Sequence, residues 1–338
     1  MRHPRACSRA SGGASTSASA TAIATVAIGE KTAIATVAIG EKSAAGAIVL
    51  GASLWRVGSA SRWLALADGV SNRTAAALTT VGWTVHPAPA WTWPVGWTVA
   101  ANGVPCAARW SASAQRAFMA KLALFSFTWL RSIVLLDSDT VLFANPDHLH
   151  AIDPRVPAAA AHRTLECPQL LCSRSAVGTN PNAGVVLIRP SAVEWAGLRT
   201  LVGKLTRCPK YPEQGVMQMH FGTRLRWFDR WWNAREGPGA AGAGSHGSAS
   251  MRQKLRVYHF VGKCPKPLAY ACRWHELPAA SCERGRLAFA YERWRRDWRR
   301  ALARLSPTHR ASKPAALPGP FGCEQHAAHH QRASVTRR

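Results

Sequence analysis

The sequence predicts an α/β fold built on a doubly wound, mostly parallel (mixed) sheet. Short apolar segments rich in β-branched residues alternate with helical segments along most of the chain, which is the pattern of a parallel sheet covered by helices. The 338 residues, 47% of them hydrophobic, supply enough apolar surface for one large core. No apolar run is long enough to cross a membrane, so we expect no transmembrane segment.

Three strands and three helices are predicted in the first half of the chain. The sequence TAIATVAIGEK occurs twice in succession, and we assign the first strand to the second copy because it leads directly into a helical segment. Ser71 is a suitable N-cap for the second helix, and Pro87 ends the third strand. The predicted elements are strand 33–39, helix 44–55, strand 63–67, helix 71–81, strand 83–86 and a helix around 114–124.

The second half continues the alternation. Its predicted elements are strands 132–136, 156–161 and 185–188, helices 191–205 and 213–221, a flexible Gly/Ala/Ser loop over 237–250, and strand 255–260, which we expect to return to the main sheet. A last helix, over 287–305, has apolar residues at spacings of three and four, with arginines on its other face. We expect this helix to pack on the domain, and attachment to a membrane surface is the alternative.

These elements predict one domain over 32–305. Residues 1–31 include the first copy of the duplicated segment, and their Ser/Ala-rich start is basic and free of acids. This composition is typical of a disordered segment or of an organelle-targeting peptide. Residues 306–338 are predicted to form a disordered basic tail.

The charge of the chain is strongly positive. Lysine and arginine number 43 against 17 acids, for a formal net charge of +26. Such a charge suits phosphate, nucleic acid or a membrane surface as partner, and it is equally typical of a solvated basic exterior. Because no reading helix and no zinc-finger spacing is found, we do not expect specific nucleic-acid binding.

The nine cysteines leave the cellular compartment open. They form no paired C-x-x-C framework, so a structural zinc site is not expected. Disulfides in a Golgi-type lumen and free thiols in the cytosol both suit their spacing.

The strand predicted at 132–136 leads into an Asp-x-Asp sequence, Asp137 and Asp139. The carboxyl ends of strands are where open parallel sheets bind ligands. Two carboxylates at that edge suit magnesium or manganese, and an added imidazole favours manganese. A metal there could bridge a substrate's diphosphate.

At this point several blocks, taken in order, resemble glycosyltransferase family 8, the group that includes glycogenin and the galactinol synthases. The resemblance spans roughly residues 33–298. The matching blocks are 46–54, 68–71 with 82–85, Lys121-Leu122 before 135–140 and 145–149, the Asn-Ala-Gly strand 182–191, Glu213-Gln214-Gly215, and 259–262 followed by Lys266-Pro267.

The resemblance implies a GT-A-type fold and a retaining transfer of a hexosyl unit from a UDP-sugar, with UDP-glucose or UDP-galactose as donor and Mn²⁺, or Mg²⁺, as cofactor. It also implies an unidentified carbohydrate, polyol, protein-linked or lipid-linked acceptor, and it is compatible with a homodimer. The implied metal ligands are Asp137, Asp139 and His259, the implied donor contacts are Asn182, Gly184, Gly262 and Lys266, and the residues placed at the transferred sugar are Glu213 and Gln214. We expect His259 to reach the aspartates because neighbouring parallel strands end side by side.

Three departures from the family pattern keep alternatives open. Glu213 stands where the family has aspartate, and one extra residue separates Gly262 from Lys266, so Lys263 is an alternative phosphate ligand. Leu268 replaces a usual tryptophan. A catalytically degraded relative that acts as a binding protein is therefore the second hypothesis. Since no tyrosine lies between residues 222 and 256, a separate acceptor is favoured over self-glucosylation.

Overall fold

The computed structural model describes residues 31–91, 94, 97, 110–152, 170–174, 181–209, 211–234, 253–261 and 288–305, with only the backbone described for 170–174, 230 and 288. The strand predicted at 156–161, the loop predicted at 237–250 and both predicted terminal segments, except Lys31, lie outside these residues.

The elements alternate as the sequence predicts. The strands are β1 (Thr32–Ile39), β2 (Arg62–Asp68), β3 (Thr84–Pro87), β4 (Ser132–Leu136), β5 (Thr140–Leu142), β6 (Leu170–Arg174), β7 (Pro181–Ile188), β8 (Arg226–Trp227) and β9 (Val257–His259). The α-helices are α1 (Gly40–Arg56), α2 (Asn72–Thr80), α3 (Ala112–Ala123), α4 (Ala192–Lys204), α5 (Pro212–Phe221) and α6 (Ala288–Leu305). Short 3₁₀ turns occur at Leu124–Ser126, Pro146–Ala151, Gly222–Arg224 and Arg230–Asn233.

Seven strands form the main sheet in the order β3-β2-β1-β4-β7-β6-β8. The pairs from β3 through β1 to β4 are parallel, whereas β7 runs antiparallel to both β4 and β6. The predicted doubly wound, mixed sheet is therefore confirmed.

Alternation along β1 places the strand between two layers of the core. Ala33, Ala35 and Val37 pack into one apolar cluster, and Ile34 and Ala38 pack into the other. Successive side chains of a strand point to opposite faces, so these residues bury both faces of the sheet. The apolar run of β1 is thus explained by its central position.

Local residues set where the helices begin. Gly40 has a φ of +75°, which lets the chain turn directly from β1 into α1, four residues before the start predicted at 44. The hydroxyl of Ser71 accepts a hydrogen bond from the Thr74 amide and caps α2 as predicted. Ser191 caps α4 in the same way.

The prediction that the strand near 255–260 joins the main sheet is wrong. That strand is β9, and it pairs with β5 in a separate two-stranded antiparallel sheet. The chain leaves the main sheet after β4, and β5 begins at Thr140, directly after the Asp-x-Asp turn. Thr140 lies opposite His259, so β5 brings the end of β9 next to the carboxyl end of β4, the central strand of the main sheet.

Helix α6 packs on α1, as predicted for the last helix. Its tryptophans, Trp294 and Trp298, are buried. Asp297, on the same helix, is fully buried and accepts hydrogen bonds from the guanidinium of Arg56 at 2.9 and 3.0 Å. Arg300 also donates to Asp297, at 2.9 Å. The aromatic face therefore lies in the core, and none of the described helices is long and apolar enough to cross a membrane.

Cys208 tests the choice between disulfides and free thiols that the sequence left open. Cys208 is buried and disulfide-bonded. The disulfide alternative therefore holds for this cysteine.

Candidate metal centre

The Asp-x-Asp turn is held in place by backbone hydrogen bonds from three directions. The Asp137 amide donates to the Gly184 carbonyl at 3.0 Å, and Thr140 donates its amide and hydroxyl to the Asp137 carbonyl at 3.1 and 2.7 Å. The Phe260 amide donates to the Asp139 carbonyl at 3.0 Å. These bonds fix both aspartates between β4, β7 and β9.

Asp137, Asp139 and His259 converge at this turn. His259 Nε2 lies 3.1 Å from Asp139 Oδ1 and 3.6 Å from Asp137 Oδ2. Each residue offers one ligand atom, and these atoms all lie within 4.8 Å of one another. Asp139 and His259 are buried, whereas Asp137 is partly exposed. Two carboxylate oxygens and one imidazole nitrogen, open to solvent on one side, suit a divalent cation.

The expected reason for this convergence was wrong, although the residues do meet. His259 ends a strand that is antiparallel to β5 and outside the main sheet. It reaches the aspartates because its partner in the register is Thr140, the residue that follows Asp139.

A chain of amide hydrogen bonds orients the His259 ring. Asn233 Nδ2 donates to Asn182 Oδ1 at 2.6 Å, and Asn233 Oδ1 lies 3.1 Å from His259 Nδ1. The Gly184 amide also donates to Asn182 Oδ1, at 3.0 Å. Since the amide oxygen of Asn233 faces the ring, Nδ1 is the nitrogen that donates to it, and Nε2 is the nitrogen directed at the two carboxylates.

Gly184 leaves room for this ring. A Cβ at Gly184 would lie 2.0 Å from His259 Nδ1, 2.4 Å from its Cε1 and 2.8 Å from Asn233 Oδ1. The imidazole therefore packs directly against the backbone of β7. Any side chain at this position would displace the histidine.

Lys121 adds a buried cation beside the aspartates. Its ammonium lies 2.7 Å from Asp137 Oδ1 and 3.4 Å from Glu213 Oε1. Burial disfavours the charged amine, but the carboxylates of Asp137, Glu213 and Asp139 outweigh that effect and raise the pKa of Lys121 above its ordinary value. Three carboxylates against one ammonium leave an excess of negative charge for a cation to neutralise.

Glu213 and Gln214 lie in the first turn of α5, next to Lys121. Gln214 Nε2 lies 3.4 Å from Glu213 Oε1, whereas Glu213 Oε2 is buried and has no hydrogen-bond partner among the described residues. A buried carboxylate oxygen without a donor is costly. This oxygen can accept a hydrogen bond from a donor that enters the site.

The structure brings most of the sequence-predicted residues together. Asp137, Asp139, His259, Asn182 and Gly184 form one connected group, and Glu213 and Gln214 join it through Lys121. Gly262, Lys263 and Lys266 lie outside the described residues. Sequence reasoning missed Asn233, because its contact depends on the tertiary approach of the 3₁₀ turn to β9. The sequence resemblance included Lys121, but its ion pairs with Asp137 and Glu213 were not predicted.

Solved structures resemble this fold. The bifunctional glycosyltransferase WbbM, in its apo form, matches with a TM-score of 0.53 and 12% identity over 81% of this chain and 51% of its own. Galactosyltransferase LgtC, in complex with donor and acceptor sugar analogs, matches with a TM-score of 0.51 and 16% identity over 79% of this chain and 95% of its own. The protein has a GT-A fold. The apo form of the glycosyltransferase GlyE of Streptococcus pneumoniae TIGR4 also matches this protein, with a TM-score of 0.53 and 18% identity over 81% of this chain and 62% of its own.

Sequence comparison is less informative than structure. An uncharacterised protein of Acanthamoeba polyphaga mimivirus is 30% identical over 113 residues. That match spans 30% of this chain and 38% of the relative's length. No family model matches the chain. The comparisons therefore establish the GT-A fold, and membership of family 8 stays a prediction.

Proposed function

We propose that this protein is a metal-dependent, retaining glycosyltransferase that moves a hexosyl unit from a UDP-sugar to a separate acceptor. UDP-glucose and UDP-galactose are the favoured donors, by the sequence resemblance to family 8. The observation that carries the proposal is the convergence of Asp137, Asp139 and His259 at the ligand-binding edge of a GT-A sheet.

The metal-ligand atoms at this edge of the sheet suit manganese. Asp137 and Asp139 would supply carboxylate oxygens and His259 would supply its Nε2, a mixture of ligands that favours Mn²⁺ over Mg²⁺. A divalent cation held there would neutralise charge on the departing diphosphate. The excess of carboxylates over cations beside it supports this assignment.

The residues around the centre would position the donor. Glu213 Oε2, which has no partner among the described residues, would accept a hydrogen bond from a hydroxyl of the transferred sugar, and Gln214 and Asn182 would add amide contacts. Lys121 holds positive charge against Asp137 and Glu213, which fixes both carboxylates. By the sequence resemblance, Gly262 and Lys266, or Lys263, would contact the diphosphate.

Retention of configuration follows from the same resemblance. In a front-face reaction the acceptor hydroxyl bonds to the anomeric carbon while the bond to UDP breaks, and the departing UDP oxygen takes the hydroxyl proton. A double displacement would also retain configuration. Product of inverted configuration in an anomeric assay would contradict both routes.

The test is release of UDP from UDP-glucose and UDP-galactose, with and without Mn²⁺, by the wild type and Asp139→Asn. We expect release that needs the metal and is lost in the variant, with water as a slow default acceptor. Glu292→Gln is the matched control, because it removes one exposed carboxylate on α6, away from the centre. Equal release by Asp139→Asn and the wild type would contradict the proposal.

A catalytically degraded relative is the second candidate. Two observations favour it: Glu213 is one methylene longer than the family's aspartate, and Lys121 already pairs with the metal ligand Asp137 at 2.7 Å. This candidate predicts that UDP binds with Mn²⁺ but that no donor releases UDP. The two outcomes of the release assay therefore separate the hypotheses.

A further inference from the structure

A cavity lies apart from the candidate metal centre. It has a volume of about 740 Å³, and it is lined by Trp231, Trp232, Lys254, Arg256, His148 and Asp229, together with Ala144. This volume is in the range of ligand-binding pockets, roughly 300–1,000 Å³. None of the three candidate metal ligands lines it.

The small sheet separates the two sites. Thr140 and His259 pair at its metal end, and Leu142 and Val257 pair at its other end, beyond which Ala144 and Arg256 enter the cavity wall. At roughly 3.3 Å per extended residue, the Arg256 backbone lies about 10 Å from that of His259. The cavity therefore lies at the end of the small sheet opposite to the candidate metal centre.

Backbone hydrogen bonds tie the cavity walls together. The amides of Phe143 and Ala144 donate to the Arg256 carbonyl at 2.7 and 3.1 Å. The Arg256 amide donates to the Trp231 carbonyl at 3.0 Å, and Asp229 Oδ1 accepts from the Trp231 amide at 3.1 Å. These bonds hold the segments around residues 144, 231 and 256 at fixed positions relative to one another, so the cavity is formed before any ligand binds.

The lining combines flat aromatic walls with exposed cations. Lys254 and Arg256 are exposed, whereas Leu255 between them and Val257 after them are buried, so the exposure alternates along this segment and both cations face solvent. Trp231 and Trp232 are half-buried, and Trp232 packs against the core, which holds its indole in place. Exposed cations beside fixed indoles suit a ligand that has both an anionic group and a flat apolar face.

We propose that this cavity is a binding site for an anionic saccharide, a sugar ring that bears a phosphate or a carboxylate. The indoles contact the apolar face of the ring, Arg256 and Lys254 bind the anionic group, and Asp229 accepts hydrogen bonds from ring hydroxyls. The proposal is independent of transferase activity.

The test is a calorimetric titration of the full chain with glucose 6-phosphate, glucuronate, glucose, inorganic phosphate and AMP. We expect the two anionic sugars to bind more tightly than glucose, phosphate or AMP. Lys254→Gln/Arg256→Gln is expected to weaken binding on the order of tenfold or more, because charge-assisted hydrogen bonds are lost. Both substituted side chains are exposed, so the variant should fold.

Two controls separate this site from its surroundings. Lys204→Gln/Arg299→Gln removes the same two charge types from exposed positions on α4 and α6, and we expect it to leave binding unchanged. Asp139→Ala should also leave it unchanged, so a failure of the transferase proposal would not affect this result. Equal weakening in the Lys204/Arg299 control would indicate only the basic surface and would overturn the proposal. Equal binding of phosphate would indicate a simple anion site, and tighter binding of AMP would indicate a nucleotide site; either would also overturn it.

Discussion

Gly184→Ala tests whether the Asn-Ala-Gly strand serves the metal centre through packing. The new Cβ would lie 2.0 Å from His259 Nδ1, whereas real Cβ contacts shorter than 3.0 Å are essentially not seen. The ring must therefore move by at least about 1 Å. The backbone of Gly184 is itself held on both sides, because its carbonyl accepts from the Asp137 amide at 3.0 Å and its amide donates to Asn182 Oδ1 at 3.0 Å.

Two effects follow from this displacement. Overpacking in a buried site costs about 1–3 kcal/mol of unfolding free energy. The ring also loses its hydrogen bond to Asn233, and loss of such an outer contact typically lowers metal affinity roughly 10–100-fold. The assays are a calorimetric titration with Mn²⁺ and urea unfolding of the metal-free protein.

Gly197→Ala is the matched control. Its Cβ would lie 2.4 Å from Cε1 of His220, so it crowds a histidine in the same way, but on α4 and away from the metal centre. We expect this variant to keep the Mn²⁺ affinity of the wild type whatever it does to stability. If Gly184→Ala bound Mn²⁺ as tightly as the wild type, the assigned role of Gly184 and the packing of His259 would be refuted.

Three further predictions concern charge. Lys121→Met is expected to tighten Mn²⁺ binding several-fold in calorimetry, because a competing cation leaves the carboxylates, and to lower UDP release because Glu213 loses its partner. Burial lowers the pKa of His150 to about 4. As the pH falls from 6.5 to about 4, the unfolded chain therefore takes up a proton at His150 that the folded protein excludes, and the free energy of unfolding decreases by up to about 3 kcal/mol. Urea unfolding at pH 7 and pH 4.5 should show this loss, and His150→Gln should reduce it; an unchanged loss would contradict the assignment. Asp297→Ala leaves the partly buried guanidinium of Arg56 without its carboxylate and should cost about 3 kcal/mol in urea unfolding, whereas Asp297→Ala combined with Arg56→Met should recover part of that cost.

The strands of the core were the most predictable part of the fold. Residues 132–136 were predicted as a strand with the bounds that the structure shows, because a short buried run between polar residues is a strong local signal. The start of α1 was predicted four residues late, because Gly40 permits a turn that helix propensity does not indicate.

Pairing partners were less predictable, because an apolar strand does not encode its neighbour. The strand β9 was expected in the main sheet and instead pairs with β5. For the same reason the sequence brought Asp137, Asp139 and His259 to one site but gave the wrong reason for their approach. Asn233 could not be found at all, since its bond to His259 exists only after β9 and the 3₁₀ turn pack together.

The central claim is that Asp137, Asp139 and His259 form a metal-dependent site for a nucleotide diphosphate. The most direct test is a calorimetric titration of UDP into the wild type and into Asp139→Ala, each with and without Mn²⁺. The account predicts that UDP binds the wild type only when Mn²⁺ is present, and that the variant loses this binding. UDP binding that is equally tight without metal, or that is unchanged in Asp139→Ala, would contradict it.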